Sequence, residues 1–160
     1  MAQDIFERLK KDHDQHRALL ADIFAADRQV EQRERLFERF KIEVTAHAAA
    51  EEETLYATML AREELRHDAV HSVAEHKEIG DLLQDIASTD IRADDWRANF
   101  QKLADRYIHH IDEEESDMFP AAAEGLSDAK IAELKALFEK RKPAEIERAR
   151  EGADEGDERD

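Results

Sequence analysis

The sequence predicts an all-α protein, an up-down-up-down four-helix bundle with an additional C-terminal helix. Three observations carry this. Only four Gly and two Pro occur in 160 residues, so few positions break or turn a helix. Apolar residues return at steps of three and four with few β-branched runs, the period of a helix with one buried face. The helical segments are joined by short connections, which make neighbouring helices antiparallel.

The first helix is expected over about 4–26, with Phe6, Leu9, His13, His16, Leu20 and Ile23 on one stripe. The second runs over about 32–61 through Leu36, Phe40, Val44, His47, Glu51 and Leu55. The third, about 64–87, carries Val73, His76, Ile79, Leu83 and Ile86. Ser88-Thr89-Asp90 is a turn cluster, and the fourth helix continues from it over about 94–123 with Trp96, Phe100, Leu103, Tyr107, His110 and Glu114. A fifth helix starts at Asp128, capped by Ser127, with Pro143 as a point of interruption. The domain reading is therefore a bundle over 1–124, a C-terminal helix over 125–149 and a disordered acidic tail over 150–160, where charge is dense and no apolar residue is larger than Ala.

A net charge of −17, spread over 41 acidic residues, argues against nucleic acid or an anionic membrane as partner, because both would be repelled. With no Cys, any metal must be held by His and carboxylate. The absence of an apolar leader or membrane-length run points to a cytoplasmic protein; a monomer or homodimer is expected.

The chain contains one ligand pattern twice. His13, His47 and Glu51 recur as His76, His110 and Glu114, each 63 positions on. The surroundings repeat too: Asp12 answers Glu75, Leu20 answers Leu83, Ile23 answers Ile86, and Glu51-Glu52-x-x-Leu55-Tyr56 answers Glu114-Glu115-x-x-Met118-Phe119. In a helix, residues four apart share a face, so His47 with Glu51 and His110 with Glu114 each present an imidazole and a carboxylate to one inward point. At ~1.5 Å per residue, His13 and His47 lie at similar depths from their shared turn, as do His76 and His110.

Two carboxylates on core stripes need a cationic partner, since burying them unpaired costs several kcal/mol or forces protonation. Two transition-metal ions meet that need, each taking two His and one oxygen from each bridging Glu. An oxo or hydroxo bridge would leave each ion one open position for O₂, peroxide or NO. The donor set suits two iron ions, with manganese or zinc as alternatives. A lone His on an apolar face is more often packed than ligating, and a single HxxxE arises by accident. Two copies at one offset do not. Glu52, Glu53, Glu113 and Glu115 are expected on solvated faces, and His67, His71 and His109 at the surface. His16, whose repeat partner is Ile79, either supports a ligand or joins the set. Tyr56, Tyr107 and Phe119 are expected to pack in the core or line a pocket.

These residues resemble the hemerythrin-like (HHE cation-binding) family over 4–123. The family order H…HxxxE…H…HxxxE appears as His13, His47 to Glu51, His76 and His110 to Glu114, and its terminal motif is kept in Glu114-Glu115-Ser-Asp-Met118-Phe119-Pro120. The segment Asp12 to Arg17 looks like the first helix of the repair-of-iron-centres proteins, which also carry a Cys-containing N-terminal domain absent from this sequence. Oxygen-carrying hemerythrins have a fifth His four residues along the third helix and an Asp as second bridge; here those positions are Gly80 and Glu114. The resemblance implies a non-haem di-iron protein that engages O₂, NO or peroxide, in oxygen handling, sensing or protection from oxidative stress. Two alternatives remain: a di-iron enzyme disproportionating peroxide or reducing NO, and iron storage or delivery.

Overall fold

A computed structural model describes residues 4–158. α1 (Ile5–Ala25) opens on Asp4, whose carboxylate accepts the Glu7 amide at 2.8 Å and so satisfies one of the free donors of the first turn. α2 (Val30–Glu51) runs back and passes through a π turn (Glu52–Tyr56) into the short α3 (Ala57–Leu60). α4 (Glu63–Ala87) and α5 (Asp94–Glu113) form the second hairpin, and α5 continues through another π turn (Glu114–Met118) into α6 (Phe119–Gly125). The result is the all-α up-down-up-down bundle the sequence predicts, closed by α7 (Asp128–Glu158).

The two π turns are not anticipated by the periodicity, which reads both rods as continuous α-helix. The first follows its HxxxE and the second begins at the Glu of its own: the Ala57 amide reaches back five residues to the Glu52 carbonyl, and the Phe119 amide does the same to Glu114. A wider turn inserts one residue and re-aims the next stretch of helix. Here it keeps Leu55, Tyr56 and Met59 buried after Glu51, and Met118, Phe119 and Ala122 buried after Glu114. Thr54 Oγ1 donates to the Ala50 carbonyl at 2.8 Å within the first of these distortions.

Two apolar clusters flank a polar layer. Leu19, Leu20, Ile23, Phe37, Phe40, Leu83, Ile86, Trp96 and Phe100 pack toward the α1–α2 and α4–α5 loops. Ile5, Leu9, Leu55, Tyr56, Met59, Leu65, Phe119 and Phe138 fill the opposite end. Between them, at the middle of all four rods, lie Asp12, His13, His16, His47, Glu51, Glu75, His110 and Glu114, all buried.

α7 begins as expected, with Ser127 Oγ accepting the Lys130 amide at 3.1 Å. It lies along α2 and also meets α1. Pro143 does not interrupt it. A proline in a helix interior removes one bond and crowds the preceding turn, at about 3 kcal/mol or more; burial of Phe138, Lys142 and Glu145 against the bundle offsets this. Nor does the helix stop at residue 149. It continues to Glu158; residues 159 and 160 of the expected tail lie outside the described residues. Among the described residues no helix is long and apolar enough to cross a membrane.

Phe138 is fully buried, with its ring 5.8 Å from the His47 ring and the Arg8 guanidinium 5.1 Å over its face. Phe138→Ala is expected to destabilise the fold by about 3–5 kcal/mol, read as a lower urea midpoint with α-helical circular dichroism retained in buffer.

Candidate metal centre

All six residues singled out by the repeat meet in the polar layer. Donor atoms of His13, His47, Glu51 and Glu114 lie within 4.8 Å of one another, as do those of Glu51, His76, His110 and Glu114. Both carboxylates belong to both groups. Glu114 Oε1 is 3.2 Å from His13 Nε2 and its Oε2 is 3.3 Å from His110 Nε2, so its two oxygens face imidazoles of different groups. Glu51 Oε1 is 3.2 Å from His76 Nε2 and 3.9 Å from His47 Nε2. Donors at about 2.0–2.2 Å from one cation stand roughly 3–3.5 Å apart along the edges of its coordination shell, which three of these four separations match.

The inward atoms also lack other partners. His13 Nε2, His47 Nε2, Glu114 Oε1 and both oxygens of Glu51 are buried without a hydrogen bond. Buried polar groups are nearly always satisfied, and a cluster of orphans converging on one space fits cations supplied there.

Every imidazole of the set is held from behind through Nδ1. Asp12 bonds His47 at 2.8 Å, Glu75 bonds His110 at 2.9 Å, Glu115 bonds His13 at 2.9 Å and Glu52 bonds His76 at 3.1 Å. These four acids form two pairs under the same 63-residue shift, Asp12 with Glu75 and Glu52 with Glu115. An imidazole that donates Nδ1–H to a carboxylate is fixed in orientation and tautomer with Nε2 free for a metal. The expectation that Glu52 and Glu115 only face solvent is therefore corrected: both are partly exposed, and their inner oxygens orient His76 and His13.

A family model, the hemerythrin HHE cation binding domain, matches residues 4–122. The chain belongs to that family. Its fold is similar to the crystal structure of a hemerythrin HHE cation binding domain-containing protein, the Rv2633c homolog from Mycobacterium kansasii, with 27% sequence identity, a TM-score of 0.80, and coverage of 91% of this chain and 88% of that one. No curated protein matches the chain.

In this HHE domain the charges of the layer are strongly coupled. Burial and the nearby Glu114 charge push Glu51 well above the usual carboxylate range. Burial also pushes Glu114 upward, but His110 and His13 outweigh it and hold the carboxyl well below that range. His13 and His110 are each disfavoured as imidazolium by burial, yet their carboxylate partners raise both to about 9. His47 is lowered to about 4, burial outweighing its bond to Asp12. Cations would replace the protons on Glu51, His13 and His110, which a metal must displace in order to bind.

His16 is fully buried and its Nδ1 is bonded to the Tyr107 hydroxyl at 2.6 Å. It belongs to neither donor group. Tyr56 donates its hydroxyl to Glu114. Tyr56 and Tyr107 are buried, and Tyr107 also lines a cavity, as the sequence leads one to expect; their hydroxyl bonds are not visible in the sequence, nor is Lys142, whose ammonium lies 2.8 Å from Asp12. The Asp12 and Glu75 pairing was visible in the repeat, because ligating His commonly carry a carboxylate partner. Nothing in the sequence marked Lys142, since its role depends on where α7 docks. His67, His71 and His109 are exposed, as expected.

In chelator-treated protein, His13 and His110 hold protons up to about 9 against 6.5 for an ordinary imidazole, so their stabilisation is full below that lower value and fades as pH rises through the upper one. Glu51, raised likewise, adds in the same direction, and His47 and His16, both lowered, act below this window. The thermal midpoint should thus fall between pH 6.5 and 9, whereas metal affinity should rise; parallel trends with and without metal would contradict the ligand assignment. Separately, Asp12→Asn should weaken metal binding about 10–100-fold, measured by chelator competition, through loss of the His47 anchor.

Proposed function

We propose that this HHE domain is a non-haem di-iron protein that engages O₂, NO or peroxide at a centre held by His13, His47, Glu51, His76, His110 and Glu114. The observation that carries the reading is the double donor group, two imidazoles plus both carboxylates on each side, with five of its buried donor atoms lacking other partners. Nitrogen and carboxylate donors without thiolate suit iron or manganese. A bound pair of redox metals supplies coordination positions and electrons for small-molecule chemistry.

The surrounding residues favour a small ligand arriving from one side. A cavity of about 330 Å³ between α2 and α4 reaches His47, His76 and His110, with Val44, Val73, Ile79, Leu83 and Tyr107 among its walls. Gly80 stands at this cavity, and a Cβ added there meets nothing within 4 Å. Its repeat partner is Arg17, whose guanidinium binds Glu115 at 2.6 Å and Asp112 at 3.0 Å. His16 and Tyr107 stand where the other half has Ile79 and Val44. Bulk and charge therefore occupy the α1–α5 side, and apolar walls leave the α2–α4 side open to neutral molecules.

The enzymatic reading has its own support. Tyr107 lines the cavity and is bonded to buried His16; burial keeps the phenol protonated. Peroxide disproportionation moves protons at the reacting oxygens, and this pair can hold one beside them.

Metal analysis joined to an optical spectrum before and after peroxide tests the proposal. Two irons per chain and a stable spectral change support ligand binding; sustained oxygen release supports the enzyme. Zinc alone, or no metal after reconstitution with ferrous iron, would sink both. Gly80→Leu is expected to keep the iron content and slow the reaction with NO or peroxide about tenfold or more by filling the route, a penalty near 1.4 kcal/mol; unchanged stopped-flow rates would remove the cavity from the reading.

A further inference from the structure

Outside the six-residue centre, α4 and α5 carry a second group of imidazole and carboxylate donors. His71 Nε2 lies 3.4 Å from Glu75 Oε1 and 3.3 Å from Glu113 Oε1, and the donor atoms of the three residues are mutually within 4.8 Å. The other oxygen of Glu113 is 3.2 Å from His109 Nε2. Separations of 3.3–3.4 Å are long for a charge-assisted hydrogen bond, typically about 2.7–2.9 Å, and match the donor edges of a cation held at about 2.1 Å. The His71 side chain is 52% exposed, Glu113 37% and Glu75 10%, so the group spans from solvent to the edge of the core.

The 63-residue shift shows what is different about this face. Glu75 answers Asp12, His71 answers Arg8 and Glu113 answers Ala50. At Asp12 the charge is met by Arg8 at 2.6 Å and by Lys142 of α7 at 2.8 Å. At Glu75 the equivalent of Arg8 is an imidazole, a second carboxylate replaces Ala50, and α7 packs on the other hairpin. Fixed cations on one face give way to metal-binding donors on the other.

The group also opens inward. A cleft of about 40 Å³, enough for an ion with one or two waters, is lined by His71, Glu75 and Glu113 at its outer end and by Glu114 at its inner end. Glu114 is 2% exposed and belongs to both donor groups of the centre. We propose that His71, Glu75 and Glu113 form an outer divalent-cation site through which ferrous iron or manganese reaches the buried centre. The transit role rests on the proposed function; the outer site itself does not. One nitrogen and two carboxylates give a moderate site for such ions, and Glu75 joins the two locations because the oxygen that faces His71 also bonds His110 Nδ1. His71→Ala and Glu113→Gln are the test variants, because Glu75→Gln would disturb His110 as well.

Full-length protein with its centre filled and excess metal removed is titrated with Mn²⁺ in excess Mg²⁺, with unbound Mn²⁺ followed by electron paramagnetic resonance. One additional Mn²⁺ per chain is expected in the wild type. Its affinity should fall about tenfold or more in each variant and stay unchanged in His67→Ala, an exposed imidazole on the same helix. Ferrous iron uptake by chelator-treated protein should slow severalfold in His71→Ala and Glu113→Gln, with the final iron content and circular dichroism unchanged. No additional Mn²⁺, or binding indifferent to both substitutions, overturns the outer site. Binding that is lost without slower uptake overturns the transit role. A centre that takes up no iron refutes the proposed function instead, and the Mn²⁺ titration of that protein still decides the outer site.

Discussion

Burying two carboxylates side by side at mid-height of a helical bundle is the constraint on which the rest of this structure depends. Glu51 and Glu114 are 0% and 2% exposed and lie between two apolar clusters. Neither could remain charged there alone, because desolvation of an ion costs several kcal/mol even after relaxation. Each face of the pair is therefore lined by imidazoles, and each imidazole is backed by an outer carboxylate. Negative charge is relayed outward in layers, from Glu51 and Glu114 through four His to Asp12, Glu52, Glu75 and Glu115 at the margin. The π turns belong to the same solution. One starts just after Glu51 and the other at Glu114, and both keep the next turn buried, so that the carboxylates can be placed without losing the apolar cluster below.

Repetition gives the centre its two similar halves, and departures from repetition give it direction. Ligands and their anchors obey the 63-residue shift; the residues around them do not. Arg17, His16 and Tyr107 crowd one seam, where Gly80, Ile79 and Val44 leave the other open as a cavity. The outer hairpin faces differ as well. α7 covers α1–α2 and supplies Lys142 to Asp12, whereas Glu75 faces His71 and Glu113. A duplicated helical hairpin thus carries an apolar-walled cavity on one side and a cleft lined by imidazole and carboxylates on another. These differences arise from side-chain volume and charge at a few positions, without any change in backbone plan.

Much of this was legible in the chain itself. Helical periodicity, scarce Gly and Pro and short connections determined the all-α bundle, since an amphipathic stripe with few breakers has one low-energy way to hide its apolar face. The constant offset picked out all six central donors, because i and i+4 share a helix face whatever the tertiary detail. It even contained the anchoring acids as pairs, although charge on an exposed-looking helix position reads as solvation until its imidazole partner is located.

Tertiary structure alone decided the rest. Whether a helix widens into a π turn depends on packing beneath it, and the α and π patterns differ by only one residue per insertion. That Pro143 lies within a continuous α7 depends on burial on both sides of it. Lys142 reaches Asp12 across 130 positions of sequence, His16 meets Tyr107 across 91, and Glu115 meets His13 across 102. Local sequence encodes which face a residue lies on; which distant side chain shares that face is set by how the rods are rotated and docked, and that is a property of the packed core as a whole.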